Sequence, residues 1–186
     1  CECEPFLTAD YRQMVEAQKA GGVDLFLCET MSIAHEAHAA TVAAVESGLP
    51  VWTAFTVDDA DGTRLRSGES LADSAKAVVD AGANAVLVNC AVPEALTTAM
   101  DVLKELGVPF GGYANAFTSV AALEPGGTVD VLEARKDLGP DAYAEHVLQW
   151  VEKGATIVGG CCEVGPAHIK ALADRLKDAG YSLASS

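Results

Sequence analysis

The chain has 186 residues, half of them hydrophobic, with 12 basic against 27 acidic side chains and a formal net charge of -15. That is enough apolar material for one domain with a sizeable core, and it excludes a disordered chain. The acidic balance gives no attraction to nucleic acid or to an anionic membrane surface, and no apolar run approaches the ~18 residues of a membrane-spanning helix.

The opening Cys1-Glu2-Cys3-Glu4-Pro5 has no basic stretch and no apolar segment, so no signal peptide is visible. It also lacks an initiator methionine, so the chain reads as trimmed at its front. Six cysteines in so hydrophobic a chain point to a reducing, cytoplasmic setting in which thiols serve metal binding or catalysis.

Asp10 to Ala20 reads as a helix stopped by Gly21-Gly22. An apolar run from Val23 to Thr30 follows, then an Ala-rich helix from Ile33 to Ser47 ended by Gly48. Pro50 to Val57 is the second apolar run. Leu71, Ala75, Val78 and Val79 recur at helical spacing over Leu71 to Ala81. The third run, Ala85 to Cys90, leads to a helix from Pro93 to Leu106, with proline in its first turn and Gly107 at its end. Val108 to Ala114 is the fourth run, and the Gly-, Pro- and Ala-rich loop from Asn115 to Leu138 has the length of a site cover or a mobile segment. A helix from Asp141 to Lys153, a fifth run ending at Cys161-Cys162, and a helix from Pro166 to Lys177 complete the chain.

The runs are continuous rather than alternating, as in parallel strands covered on both faces. Serial βα units imply an α/β fold, either a doubly wound sheet or a (β/α)₈ barrel. A full barrel needs eight strands and five are present, so the barrel reading requires that about three front βα units are absent.

In both architectures ligands bind at the carboxyl ends of the strands, where Glu29, Cys90, Asn115, Cys161 and Cys162 all fall. Three thiolates with a fourth position left open make a catalytic zinc site, and a sulfur substrate suits that position. Adjacent ligands cannot both point inward from a regular strand, so Cys161-Cys162 requires a turn, which Gly159 and Gly160 permit. Cys28, inside an apolar run, reads as a small core residue, and Cys1 and Cys3 as chemically idle. By itself Glu29 reads as a carboxylate near a helix start, and Asn115 as a turn residue or a wall of the site. His35 and His38 share a helix face without a third ligand and read as surface residues, Trp52 and Phe55 read as core, and Tyr113 carries no assignment.

The segment Gly159-Gly160-Cys161-Cys162-Glu163-Val164-Gly165-Pro166-Ala167-His168-Ile169 resembles the Gly-Gly-Cys-Cys signature of the homocysteine S-methyltransferase family. Val88-Asn89-Cys90 is similar to the family's Asn-Cys zinc-ligand motif, Tyr113-Ala114-Asn115-Ala116 to its Tyr-Pro-Asn motif, and Asp24 to Met31 to its Glu-Thr strand end. The resemblance implies a (β/α)₈ barrel in which residues 1–186 supply the last five βα units of one homocysteine-binding domain. It implies zinc on Cys90, Cys161 and Cys162, and Glu29 at the amino-acid end of homocysteine. The activity implied is methyl transfer from a sulfonium, betaine or similar donor to the homocysteine thiolate, giving methionine. Two departures, Glu163-Val164-Gly165-Pro166 after the cysteine pair and Ala114 where proline is usual, bear on the donor and on loop geometry rather than on the metal ligands. The competing readings are a redox protein with a vicinal Cys161-Cys162 disulfide and a non-catalytic barrel fragment. An open edge at the first strand would further favour association, including homo-oligomers.

Overall fold

Five parallel strands lie side by side in the order in which the chain makes them. The computed structural model describes residues 4–120 and 128–184, so Cys1, Cys3 and part of the long loop lie outside the described residues. The elements are α1 (Glu4–Ala20), β1 (Phe26–Met31), α2 (Ala34–Val45), β2 (Val51–Phe55), α3 (Leu71–Asp80), β3 (Ala85–Asn89), α4 (Pro93–Leu103), β4 (Phe110–Tyr113), α5 (Pro140–Glu152), β5 (Ile157–Val158) and α6 (Pro166–Asp178). Serial βα units were expected, and the sheet has the sequential order they imply. Among the described residues it lacks the reversal of order that marks the switch point of a doubly wound sheet. Among the described residues no helix is long and apolar enough to cross a membrane.

Local chemistry explains the boundaries. The Ser70 hydroxyl caps α3 by accepting from Asp73 N at 3.2 Å. Pro93 occupies the first turn of α4, and the Asp59 carboxylate accepts from Val92 N at 3.0 Å just before it. Gly82 and Gly154, at φ 110° and 107°, turn the chain out of α3 and α5 toward the next strands, a conformation costly for any residue with a Cβ. The first helix begins at Glu4, ahead of the expected Asp10.

The central strand β3 is buried at every position. Val86 and Val88 join the main core against the helices, while Ala85, Leu87 and Asn89 are buried on the opposite face. Phe55 is fully buried as expected, and Trp52 is half-buried. The outer strands depart from the expectation of cover on both faces. Leu27 in β1 is 40% exposed, and Ile157 and Val158 in β5 are half-buried. The reason is position: β1 and β5 are the two edges of the sheet, each paired on one side only among the described residues.

Tyr143 and Trp150 of α5 are fully buried and lock the helix layer to the site end of the sheet. Trp150 Nε1 donates to Thr97 Oγ1 of α4 at 2.8 Å. Tyr143 Oη donates to Gly159 O at 2.7 Å and accepts from Ala114 N at 3.1 Å, joining the chain beyond β4 to the chain beyond β5. Between those strands Gly111 faces Ile157, and a Cβ built on it would lie 1.8 Å from the Ile157 carbonyl oxygen. Gly111→Ala is therefore expected to lower stability by at least about 2 kcal/mol in urea unfolding. A loss below about 0.5 kcal/mol would show that β4 and β5 separate freely there.

Candidate metal centre

Cys90 follows the last residue of β3 and has φ 54°, in the left-handed region that residues other than glycine seldom enter. Such a backbone costs on the order of 1–3 kcal/mol and persists only where its surroundings hold it. Here they do. Cys90 N donates to Tyr113 O at 3.1 Å. Cys90 O accepts from Asn115 Nδ2 at 2.9 Å, from Thr56 Oγ1 at 3.4 Å and from Arg66 Nη2. Asn115 is itself fully buried, and its side-chain oxygen accepts from Phe117 N at 3.2 Å. Both ends of its amide thus hold backbone.

Beyond β5 the chain leaves strand geometry at Gly159. Cys161 N donates to Ala114 O at 2.9 Å, and Cys162 O accepts from Ala116 N at 2.9 Å. Val164 N donates to Cys161 O at 3.1 Å, closing a turn with Glu163 at φ 64°. The two glycines differ in what they provide. A Cβ on Gly160 would lie 2.1 Å from Val164 Cγ1, whereas one on Gly159 would make only an ordinary 3.6 Å contact with Tyr113 Cβ. Glycine at 160 is thus required by the packing of Val164. His168 fixes the start of α6: its Nδ1 accepts from Gly165 N at 3.2 Å, which leaves Nε2 to donate to Leu138 O at 3.3 Å.

These turns bring the Sγ atoms of Cys90, Cys161 and Cys162 within 4.8 Å of one another. Among the described residues no other group of His, Cys, Asp or Glu has such spacing. Zinc–sulfur bonds of about 2.3 Å at a tetrahedral angle put two sulfurs about 3.8 Å apart. Cys161 and Cys162 Sγ lie at 3.8 Å, so the donor set fits that ion. All three thiols are free and half-buried. Without metal they share protons unequally. The Cys161 thiol and the Arg66 charge favour the Cys90 thiolate against the opposing effect of burial, and bring its pKa down to about 6. Cys161 is raised by its hydrogen bond with Cys90 and by burial, and Cys162 by burial and by the Cys90 charge.

Glu29 is exposed at the end of β1. Tyr113, the last residue of β4, is raised by burial and by the Glu29 carboxylate, with smaller contributions from Cys161 and Cys90. Its hydroxyl oxygen is buried and has no hydrogen-bond partner. Tyr113 thus lies under the influence of both Glu29 and the thiols. Cys28 stands apart, packed beside the small core of Val15, Phe26, Ala43, Ala44 and Val51, and burial pushes its thiol up to about 11. His35 and His38 are half-buried rather than on the surface.

Sequence reasoning missed Arg66, Asn89 and Tyr143. The Asn89 amide is fully buried and exchanges two hydrogen bonds with Thr30, donating to its Oγ1 at 2.8 Å and accepting from its N at 3.2 Å. That tie secures Thr30, itself left-handed at φ 60°, beside Glu29. Asn89 had a signal, a buried polar residue next to a candidate ligand, and Arg66 a weaker one, a basic residue in the loop after a strand's carboxyl end. Tyr143, at helical spacing among core residues, had none.

A profile of the homocysteine S-methyltransferase family matches residues 5–176. The chain is 32% identical over 185 residues to homocysteine S-methyltransferase of Escherichia coli (strain K12), covering 94% of this chain and 54% of that protein. It is 28% identical over 176 residues to homocysteine S-methyltransferase 4 of Zea mays, covering 92% and 49%. The chain thus spans about half the length of the curated relatives it matches. The apo form of the Escherichia coli homocysteine methyltransferase MmuM superposes with a TM-score of 0.72 at 27% identity, covering 92% of this chain and 57% of that one. Its metallated form gives 0.70 at 26% identity, covering 90% and 52%.

The split between thiols is directly measurable. In metal-free protein near neutral pH, iodoacetamide is expected to alkylate Cys90 well before Cys28. Cys90 lies above its midpoint of about 6 and is a thiolate, whereas Cys28 lies far below about 11 and is a thiol. The Cys90 rate should fall as pH drops through about 6. Equal rates by peptide mass spectrometry would contradict the assignment.

Proposed function

The chain belongs to the homocysteine S-methyltransferase family, and from that premise we propose that Cys90, Cys161 and Cys162 bind zinc in a site that methylates homocysteine. The observation that carries this reading is the convergence of three sulfurs, from two strands that are not neighbours, to within 4.8 Å. Bound there, zinc would keep the substrate thiol in its nucleophilic thiolate form.

The rest is the work of the chain. The hydrogen bonds on Cys90 and on the Cys161-Cys162 turn keep the three ligands in place before substrate arrives, so little reorganisation is needed. Glu29, exposed on the β1 side, is assigned to the substrate's ammonium group. Asn115, fully buried, shapes the site from beneath by holding the Cys90 carbonyl. Methyl transfer then needs alignment: a sulfur electron pair forms the new bond to the methyl carbon. The donor's bond to that carbon breaks toward the donor, which leaves without its positive charge. S-Methylmethionine, S-adenosylmethionine and betaine are donors of that class. Family membership favours this reading over a vicinal-disulfide redox protein.

We infer also that the five strands are a run of a (β/α)₈ barrel. The sequential parallel order, the two single-sided edges and the half-length match to the relatives support this. Further βα units would cover the exposed Leu25 and Leu27 and close the substrate pocket opposite the cysteines.

Metal analysis and a methyl-transfer assay test the proposal. Wild-type chain is expected to hold one zinc ion and Cys161→Ala to lose it by at least about tenfold in affinity. Equal zinc content in the two would sink the ligand assignment. Transfer to homocysteine is expected to be strongest when the matching front half of a relative is supplied, and an equal rate from this chain unaided would overturn the need for it.

A further inference from the structure

Arg66 stands beside the cysteine cluster on the Cys90 carbonyl, and its charge has a use beyond holding that peptide. Arg66 lies in the excursion between β2 and α3, next to Leu65, which is fully buried. The excursion is well anchored. Val57 and Leu65 form an antiparallel bridge, Leu65 N donates to Glu69 O at 2.9 Å, and Arg66 N donates to Thr56 O at 3.3 Å. From that base the exposed guanidinium donates through Nη2 to the Cys90 carbonyl. The same carbonyl accepts from Asn115 and Thr56, so its hydrogen bonding does not depend on Arg66 alone. What only Arg66 supplies is charge. Three thiolates around a divalent ion leave a net charge of about -1, and a thiolate substrate brings it to about -2, inside a chain already at -15.

We propose that Arg66 is a positioning residue for the metal centre, a fixed positive charge, held on the Cys90 carbonyl, that offsets the anionic metal–thiolate cluster. The inference rests on the zinc reading above. Its chemistry is specific. A donor aimed at a sulfur would occupy an electron pair and blunt the thiolate. A cation held on the carbonyl acts through space and leaves the sulfur pairs free for metal and methyl carbon. Because Arg66 is exposed, solvent screens the effect, and it amounts to a modest change in affinity rather than loss of the site.

The test separates charge from hydrogen bonding. R66Q keeps an N–H donor for the carbonyl and removes the charge, whereas R66K keeps the charge and alters the donor geometry. Zinc affinity is measured on the whole chain by competition with a chromophoric chelator, and ligand identity by the thiolate-to-metal absorption of the cobalt-loaded protein. R66Q is expected to bind zinc about three- to tenfold more weakly, with an unchanged cobalt spectrum and melting temperature, and R66K to stay within about twofold of wild type. R66Q at wild-type affinity would overturn the proposal. So would R66Q and R66K weakened alike, which would make Arg66 a packing residue. A wild-type chain that takes up no metal would bring down the zinc reading itself, a failure seen before any variant is made.

Discussion

The left-handed backbone of Cys90 is the constraint on which the site depends. A regular strand end would carry residue 90 on along β3, away from the chain beyond β5. Instead the peptide turns and is held by Tyr113, Asn115, Thr56 and Arg66, drawn from β4 and from the loops after β2 and β4. Each of those contacts in turn requires its strand to be in register. The site is therefore a property of the β2–β3–β4–β5 pairing and not of three cysteines alone. Gly111 matters for the same reason, because it lets β5 approach β4 closely enough for the Cys161-Cys162 turn to reach Cys90.

Among the described residues, left-handed residues other than glycine occur at Thr30, Cys90 and Glu163, each near the carboxyl end of a strand or in the turn that follows it, and each at or beside a residue assigned to the site. Strain of this kind collects where side chains must be aimed, and each instance here has a visible restraint. Asn89 holds Thr30, four hydrogen bonds hold Cys90, and the Cys161-to-Val164 turn holds Glu163. Among the described residues the Tyr113 hydroxyl is the one buried side-chain N or O atom without a hydrogen-bond partner, and it lies under the influence of Glu29, Cys161 and Cys90.

Much of this was legible in the residues. Continuous apolar runs marked the strands and glycine stops marked the helix ends, in their observed order, and the cysteines at the ends of the third and fifth runs named the cluster. The open edge at the first strand was expected from the count of five strands, but the second edge at β5 and the exposure of side chains at both were not legible, because Leu25, Leu27 and Ile157 have the composition of covered strands. Nor was the distinction between Gly159 and Gly160, which depends on where Val164 packs, or the role of Asn115, whose amide turns out to serve the backbone of Cys90. Those are facts of tertiary contact, carried by residues far apart in the chain. The resemblance to the methyltransferase family supplied the chemistry of homocysteine and zinc, which spacing by itself leaves at the level of a thiol site suited to a soft metal.

X-ray absorption at the zinc edge of the metal-loaded chain tests the central claim most directly. Three sulfur scatterers at about 2.3 Å, with a fourth light-atom ligand replaced by a fourth sulfur when homocysteine is added, is the expected result. A first shell of nitrogen and oxygen, or one that homocysteine leaves unchanged, would contradict it.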